Sequence, residues 1–290
     1  ELYSQINYQD QPVRVSPLKY ASVIKWFTNM REGIPAYIKI DMATQNTELV
    51  KLSEGMKYTT SDHFNRNIYR HLRFNYPTYI FNDLSFEIDE DGVPYWICPV
   101  KKYNIGLFGG TTVGRVVLCN AITGETKDYA VEDVPQWVDR VYSADLLVEL
   151  YNYHGTLKHG FFNSVLGQKD CLNTTDGYNY LAIDDDVWVY TGVTSITGDQ
   201  SNVGFVLMNQ RTMETKFYEI EGATESSAMS SAEGQVQNLH YTATFPLLLN
   251  ISGEPTYFIA LKDDAGLVKK YAICLLYTSP SPRDGLLSRM

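Results

Sequence analysis

Only the carboxylates of this chain combine the residue types and the spacing that chemistry would need. Glu87, Asp89, Glu90 and Asp91 lead into DGVPYW, and Asp184, Asp185 and Asp186 stand ahead of VWVY. Hydrolysis by a carboxylate pair requires the two groups to converge within about 10 Å, so Asp184 or Asp186 would have to meet Glu87 or Asp89 in one cleft. A calcium loop needs alternating oxygen ligands. The Asp run lacks that alternation, and EIDEDG lacks the distal Glu. Asp at strand ends commonly turns its own backbone, so both clusters are expected to be solvated turns.

The other candidates are weaker. The histidines at 63, 71, 154, 159 and 240 are scattered, and His154 and His159 do not share a helix face; all five are expected to be surface or packing residues. GLFGGTTVGR, Gly106 to Arg115, lacks the lysine of a phosphate loop and precedes a strand, which makes it a strand-connecting loop. There is no G-x-S-x-G, H-E-x-x-H, C-x-x-C or G-K-[ST] motif. No catalytic residue, metal or cofactor is assigned. Two aromatic ladders remain: Tyr95 with Trp96, which point to opposite faces of a strand, and Trp188 with Tyr190, which share one. Such a face packs under a helix or forms a shallow platform for a peptide or glycan. Tyr95, Trp96, Trp188, Tyr190, Asp184 and Asp186 are therefore the weak candidates for a binding face.

The elements that would carry these residues are legible as repeats. NAITGETK (Asn120 to Lys127) and NQRTMETK (Asn209 to Lys216) agree at five of eight positions, and DMATQNTE (Asp41 to Glu48) is a weaker third copy. Each lies between two strand-patterned runs, which predicts three hairpins. Helices are predicted behind them: one from Ser61 through Leu72, one opened by Asp133 and Pro135 and running through Leu150, and one behind Thr224. Another is predicted at 17–30 behind Ser16. YPTYIFN with DGVPYWI, and FPLLLN with SGEPTYFI, predict further paired strands after the first and third hairpins. The expected fold is α+β, with repeated antiparallel hairpin-plus-helix units and the helices packed on one face of the sheets. The units fall near 12–103, 104–170 and 180–273.

Composition narrows the partners. The 290 residues are 44% hydrophobic and 20% charged, as in an ordinary globular chain. A net charge of -10 disfavours nucleic acid and anionic lipid. An aromatic content of 13%, with 22 Tyr, suits half-buried strands or a sugar-binding face. No apolar run approaches the roughly 18 residues of a membrane helix. The native cysteines Cys98, Cys119 and Cys171 permit one bridge with a free thiol, or none.

The segment NAITGETKDYAV, a turn of the Asn-x-x-Thr-Gly-Glu type between strands, resembles the PepSY-like domains found outside the bacterial membrane. Residues 5–273 are also similar to an uncharacterised family of gut Firmicutes proteins, through GIPAYIKIDMATQ, LRFNYPTYIF, FEIDEDGVPYW, IGLFGG, VPQWVDRVYSADL, YTGVTSITGDQSN, GFVLMNQRT and TYFIALKDDAGLVKKYA. This likeness implies a membrane anchor ahead of Glu1, with the region held on the extracytoplasmic side of the cell membrane, and it brings no catalytic residues. PepSY-like domains are associated with restraining peptidases or with sensing at the cell envelope. CLLYTSPSPRD, followed at the right spacing by SRM, resembles a translated sequencing adapter, so 274–290 is read as a non-native tail. The function expected is a non-catalytic interaction or regulatory module that engages a protein or envelope component. The alternatives are an envelope glycan or peptide binder and an acidic-residue hydrolase.

Overall fold

The computed structural model describes residues 3–104, 109–196 and 201–276. The chain is α+β, built of antiparallel sheets with short helices, and divides into two compact units. The first comprises Glu1–Leu146, Ala182–Trp188 and Asn209–Met213; the second comprises Leu147–Leu181, Val189–Met208 and Glu214–Met290.

In the first unit, β1 (Ser4–Tyr8) and β2 (Gln11–Pro17) are joined through Gln9 and Asp10. Both turn residues have positive φ, the two-residue geometry that matches strand twist. Helix α1 (Val23–Asn29) follows, with the Ser22 hydroxyl capping the Lys25 N–H. Strands β3 (Ile34–Asp41) and β4 (Thr47–Met56) complete a sheet of order β1-β2-β3-β4. Helix α2 (Ile68–Asn75), capped by Asn67, buries Ile68 and Leu72. Then come β5 (Ser85–Ile88), β6 (Pro94–Tyr103), β7 (Thr111–Asn120) and β8 (Thr126–Ala130), a second four-stranded meander. Ile6, Val13 and Val15 from one sheet, Phe86, Trp96 and Val117 from the other, and the inner face of α2 share one core.

Helix α3 (Ala144–Thr156) leads towards β9 (Leu172–Thr174), β10 (Asn179–Ile183), β11 (Asp186–Ser195), β12 (Ser201–Asn209) and β13 (Thr215–Ala223). These form a sheet of order β10-β11-β12-β13, with β9 also on β11. Helix α4 (Glu225–Gln235) is capped by Thr224, as the sequence predicts, and buries Ala228 and Ala232. The final sheet holds β14 (Thr242–Ala243), β15 (Leu247–Ile251), β16 (Glu254–Lys262) and β17 (Val268–Leu275). Tyr257, Ile259 and Leu261 of β16 pack with α4 in the core of the second unit. Both units thus run through a meander, a helix and a further antiparallel sheet.

The three repeated octapeptides form one turn three times, at β3–β4, β7–β8 and β12–β13. The Oδ1 atoms of Asp41, Asn120 and Asn209 each accept the backbone N–H groups two and three residues on, at 2.7 to 3.0 Å. The residue four positions on, Gln45, Gly124 or Met213, returns its N–H to the first carbonyl and has positive φ. The side chain imitates the backbone of a turn, which is why Asp or Asn opens all three. A second turn occurs twice: Asp89 and Asp263 each hold two backbone N–H groups, with Gly92 or Gly266 in the left-handed position. Only part of the Gly-rich segment 106–115 is described: 105–108 lie outside the described residues, Gly109 and Gly110 have positive φ, and β7 starts at Thr111.

Several expected elements are corrected. The helix expected at 17–30 starts only at Val23. Residues 11–17 alternate buried Val13 and Val15 with outward neighbours and pair with β3 as a strand. Ser61 accepts the Tyr20 N–H instead of capping a helix; a 3-10 turn at Phe64–Arg66 intervenes, and Asn67 is the cap. The helix expected from Asp133 is a 3-10 turn, Val131–Asp133, and an irregular stretch up to α3. That stretch sends its N–H groups to distant acceptors: Asp139 and Arg140 to the Glu87 carboxylate, Val141 and Tyr142 to the Gln210 carbonyl. YPTYIFN contributes only a bridge at Phe81. Of the segment read as a tail, Cys274 and Leu275 lie in β17, and Leu276 is buried in the core of the second unit. The rest of that segment, 277–290, lies outside the described residues. All described cysteines are free thiols.

Candidate functional site

The aromatic ladders lie mostly inside. Trp96 is fully buried against Phe86, its indole N–H donating to the Tyr58 carbonyl at 2.8 Å. Trp188 and Tyr190 are also buried, and Tyr95 is half-buried with its ring 5.0 Å from that of Trp137. Continuous burial along most of β11 explains this: there is no outward face on which Trp188 and Tyr190 could stand. Asp184 is exposed in the two-residue turn before β11, with φ of 49°.

The carboxylates of the two clusters part company. Asp89 is held in its turn, as expected of a strand-end Asp. Asp186 is nearly buried in a bidentate pair with Arg211, at 2.7 and 2.9 Å, and accepts the Asn209 amide at 2.8 Å. Glu87 is wholly buried on β5. One of its oxygens accepts the Asp139 N–H at 2.9 Å; the other accepts the Arg140 N–H at 3.1 Å and the Ser85 hydroxyl at 3.2 Å.

Asp139 itself completes the cluster. Its Oδ2 accepts the Asn7 N–H at 2.7 Å, and the Asn7 amide donates to Asp185 at 3.1 Å. The Asp139 Oδ1 and the Asn7 Oδ1 are buried without a hydrogen-bond partner. Burial pushes the Glu87 carboxyl from 4.5 up to about 7, against the pull of its donors. Asp139 rises well above the ordinary carboxylate range, first from burial and then from the Glu87 charge, with Asp186 and Asp185 adding to it.

Two buried carboxylates that feel each other's charge can host a proton or polarise a bound group. Here both oxygens of Glu87 accept protein donors, three in all, and the group is wholly buried, so it presents no open carboxylate to a substrate cleft. Among the described residues, no three His, Cys, Asp or Glu side chains come together as metal ligands. A cavity of about 220 Å³ opens beside the pair, lined by Tyr3, Tyr69, Asp83, Ser85 and Arg140 among others. Solvent therefore reaches the residues that hold Glu87.

Among the described residues, the second unit buries a single acid. Glu225, the first residue of α4, accepts from the Tyr190 hydroxyl at 3.1 Å, the Thr175 hydroxyl at 2.9 Å and the Asn202 amide at 3.3 Å. Asn202 also donates to the Tyr257 hydroxyl. Burial, and then the Glu225 charge, pushes both tyrosine hydroxyls up, so they remain donors at any physiological pH.

Asp139, Asn7 and Glu225 were not singled out from sequence. Asp139 sits in WVDRVY, where an apolar run around one acid was the available signal. Among the described residues no helix is long and apolar enough to cross a membrane. No family model, no curated protein and no solved structure matches the chain.

Proposed function

We propose that this chain is a non-catalytic interaction or regulatory module of a membrane-anchored bacterial protein, carried on the extracytoplasmic side and built of PepSY-like repeats. Its partner is a protein of the cell envelope. The observation that carries this reading is the outward face of α1. Trp26 alone turns inward, where its indole N–H meets the buried Asp62 at 2.9 Å. Val23, Ile24 and Phe27 are 60%, 76% and 69% exposed, and Phe64 beside them is 68% exposed. A surface helix normally buries its apolar side, so one that displays it marks a contact surface. The engaged state of Glu87 and Asp186 supports the non-catalytic part of the reading.

The test is photo-crosslinking in cells that carry the full-length protein, with a photoreactive residue at Ile24, at Phe27 and, as a control, at the exposed Glu54. One discrete protein adduct at both α1 positions, absent at Glu54 and lost with Phe64→Ser, is expected. Equal adducts at all three positions, or none at α1, would overturn it.

A further inference from the structure

Glu87 and Asp139 form a buried acidic pair with too few donors for two negative charges. The donors are unevenly shared. Glu87 receives three, from Asp139, Arg140 and Ser85, whereas Asp139 receives one, from Asn7. The remaining Asp139 oxygen and the Asn7 amide oxygen are both buried acceptors with nothing to accept. An orphaned buried acceptor costs roughly 1–3 kcal/mol, and two in one place call for a donor that heavy atoms do not reveal. A proton on Asp139 is the smallest such donor.

The groups facing the pair agree. Arg140 on the same segment approaches Glu87 but lends it only its backbone N–H. From the turn before β11 and the first residue of that strand come two more acids, Asp185 and Asp186. Arg211, with Asn209 and, at 3.4 Å, Gln136, is committed to Asp186. Among the described residues no Lys, Arg or His side chain bonds to Asp139, so its negative charge would meet Glu87, Asp185 and Asp186 in a desolvated setting.

We propose that Asp139 is a proton-binding site, carried as the neutral acid at neutral pH beside Glu87, and that its proton latches segment 134–143 to β1 and β5. When the proton leaves to water, two adjacent buried carboxylates repel. The segment, tied down by the Asn7, Asp139 and Arg140 backbone bonds, then opens from the unit. Ser85 and Arg140 contact Glu87 and line the 220 Å³ cavity, which gives the proton a route to bulk water. The sign follows from linkage. The closed form holds one more proton than the open form, so the opening constant rises up to about tenfold per pH unit between the two proton affinities. The latch is tight in acid and loosens as pH rises.

Infrared difference spectra and hydrogen exchange of the full chain test this. The wild type should show a protonated-carboxyl band at pH 7 that shrinks in Asp139→Asn to the share of Glu87 alone. Exchange across 134–143, corrected for intrinsic base catalysis, should accelerate with pH in the wild type above the Glu87 titration at about 7. It should stay flat over that range in Asp139→Asn, which keeps the shape and cannot ionise. A wild-type band at pH 7 that is absent, or that Asp139→Asn leaves unchanged, overturns the proposal, as does an Asp139→Asn variant that keeps the wild-type pH profile over that range. If that variant does not fold, the carboxyl carbon of Asp139 followed by NMR in the wild type decides. Titration in the ordinary Asp range would rule the latch out, and a carboxyl still protonated at pH 7 would support it.

Discussion

Each unit of this protein buries a glutamate, and the two solve the same electrostatic problem differently. In the second unit Glu225 stands alone at the first turn of α4, where free N–H groups favour negative charge, and hydroxyl or amide donors reach both of its oxygens. Gly192 leaves it room: a Cβ there would lie 2.4 Å from the Glu225 Oε1. In the first unit Glu87 takes a comparable set of donors, but its neighbour Asp139 is a second acid with one donor. A buried charge is tolerated where the fold brings enough donors. Where it brings a second acid instead, a proton must make up the difference.

The largest effect is expected from emptying the single-acid site. Glu225→Ala leaves the Tyr190 and Thr175 hydroxyls without this acceptor and takes one acceptor from Asn202, and should cost the second unit about 3 kcal/mol or more in chemical denaturation. A loss below about 1 kcal/mol would break the contrast. Next is Glu87→Gln, which keeps volume but replaces one of the two acceptor oxygens with an amide that cannot accept the Asp139 or Arg140 N–H; about 2 kcal/mol is expected.

The third prediction concerns pH. Glu87 titrates at about 7 when folded and near 4.5 when free, so the folded first unit holds the extra proton between those values. Its stability is therefore full below about pH 4.5 and declines as pH rises towards 7. Exchange-measured stability of β5 should follow that decline while β16, in the second unit, stays level from pH 5 to 7.5. Parallel slopes would erase the distinction. The smallest effect is a control. Gln45 holds a left-handed conformation with φ of 60°, and Gln45→Gly should stabilise the first unit by about 0.5–1 kcal/mol without changing its pH slope.

Local features were the legible ones. The octapeptide copies identified three turns because an Asp or Asn at the start of such a turn makes its own hydrogen bonds, and Thr224 marked α4 because a cap is local chemistry. The irregular 134–143 segment has the apolar spacing of a helix, while its N–H partners at Glu87 and Gln210 are some 50 to 70 residues away. The same distance hid the acid pair: nothing near Asp139 in the chain announces Glu87. The ladder aromatics were legible as strand residues, but whether a strand is covered on both faces depends on elements that periodicity does not report. Asp89 is legible as a turn residue because its acceptors serve N–H groups only two and four residues on.

The repeated turn has a consequence for how the molecule comes together. Closing a chain reversal of five residues forfeits little chain entropy, whereas joining Asn7 to Asp139 closes 132 residues. The hairpins can assemble within microseconds, each on its own, and the acidic pair can be brought face to face only after the strands that carry it have found their partners. The proton on Asp139 is thus acquired at the end of folding, a seal set on a structure already formed.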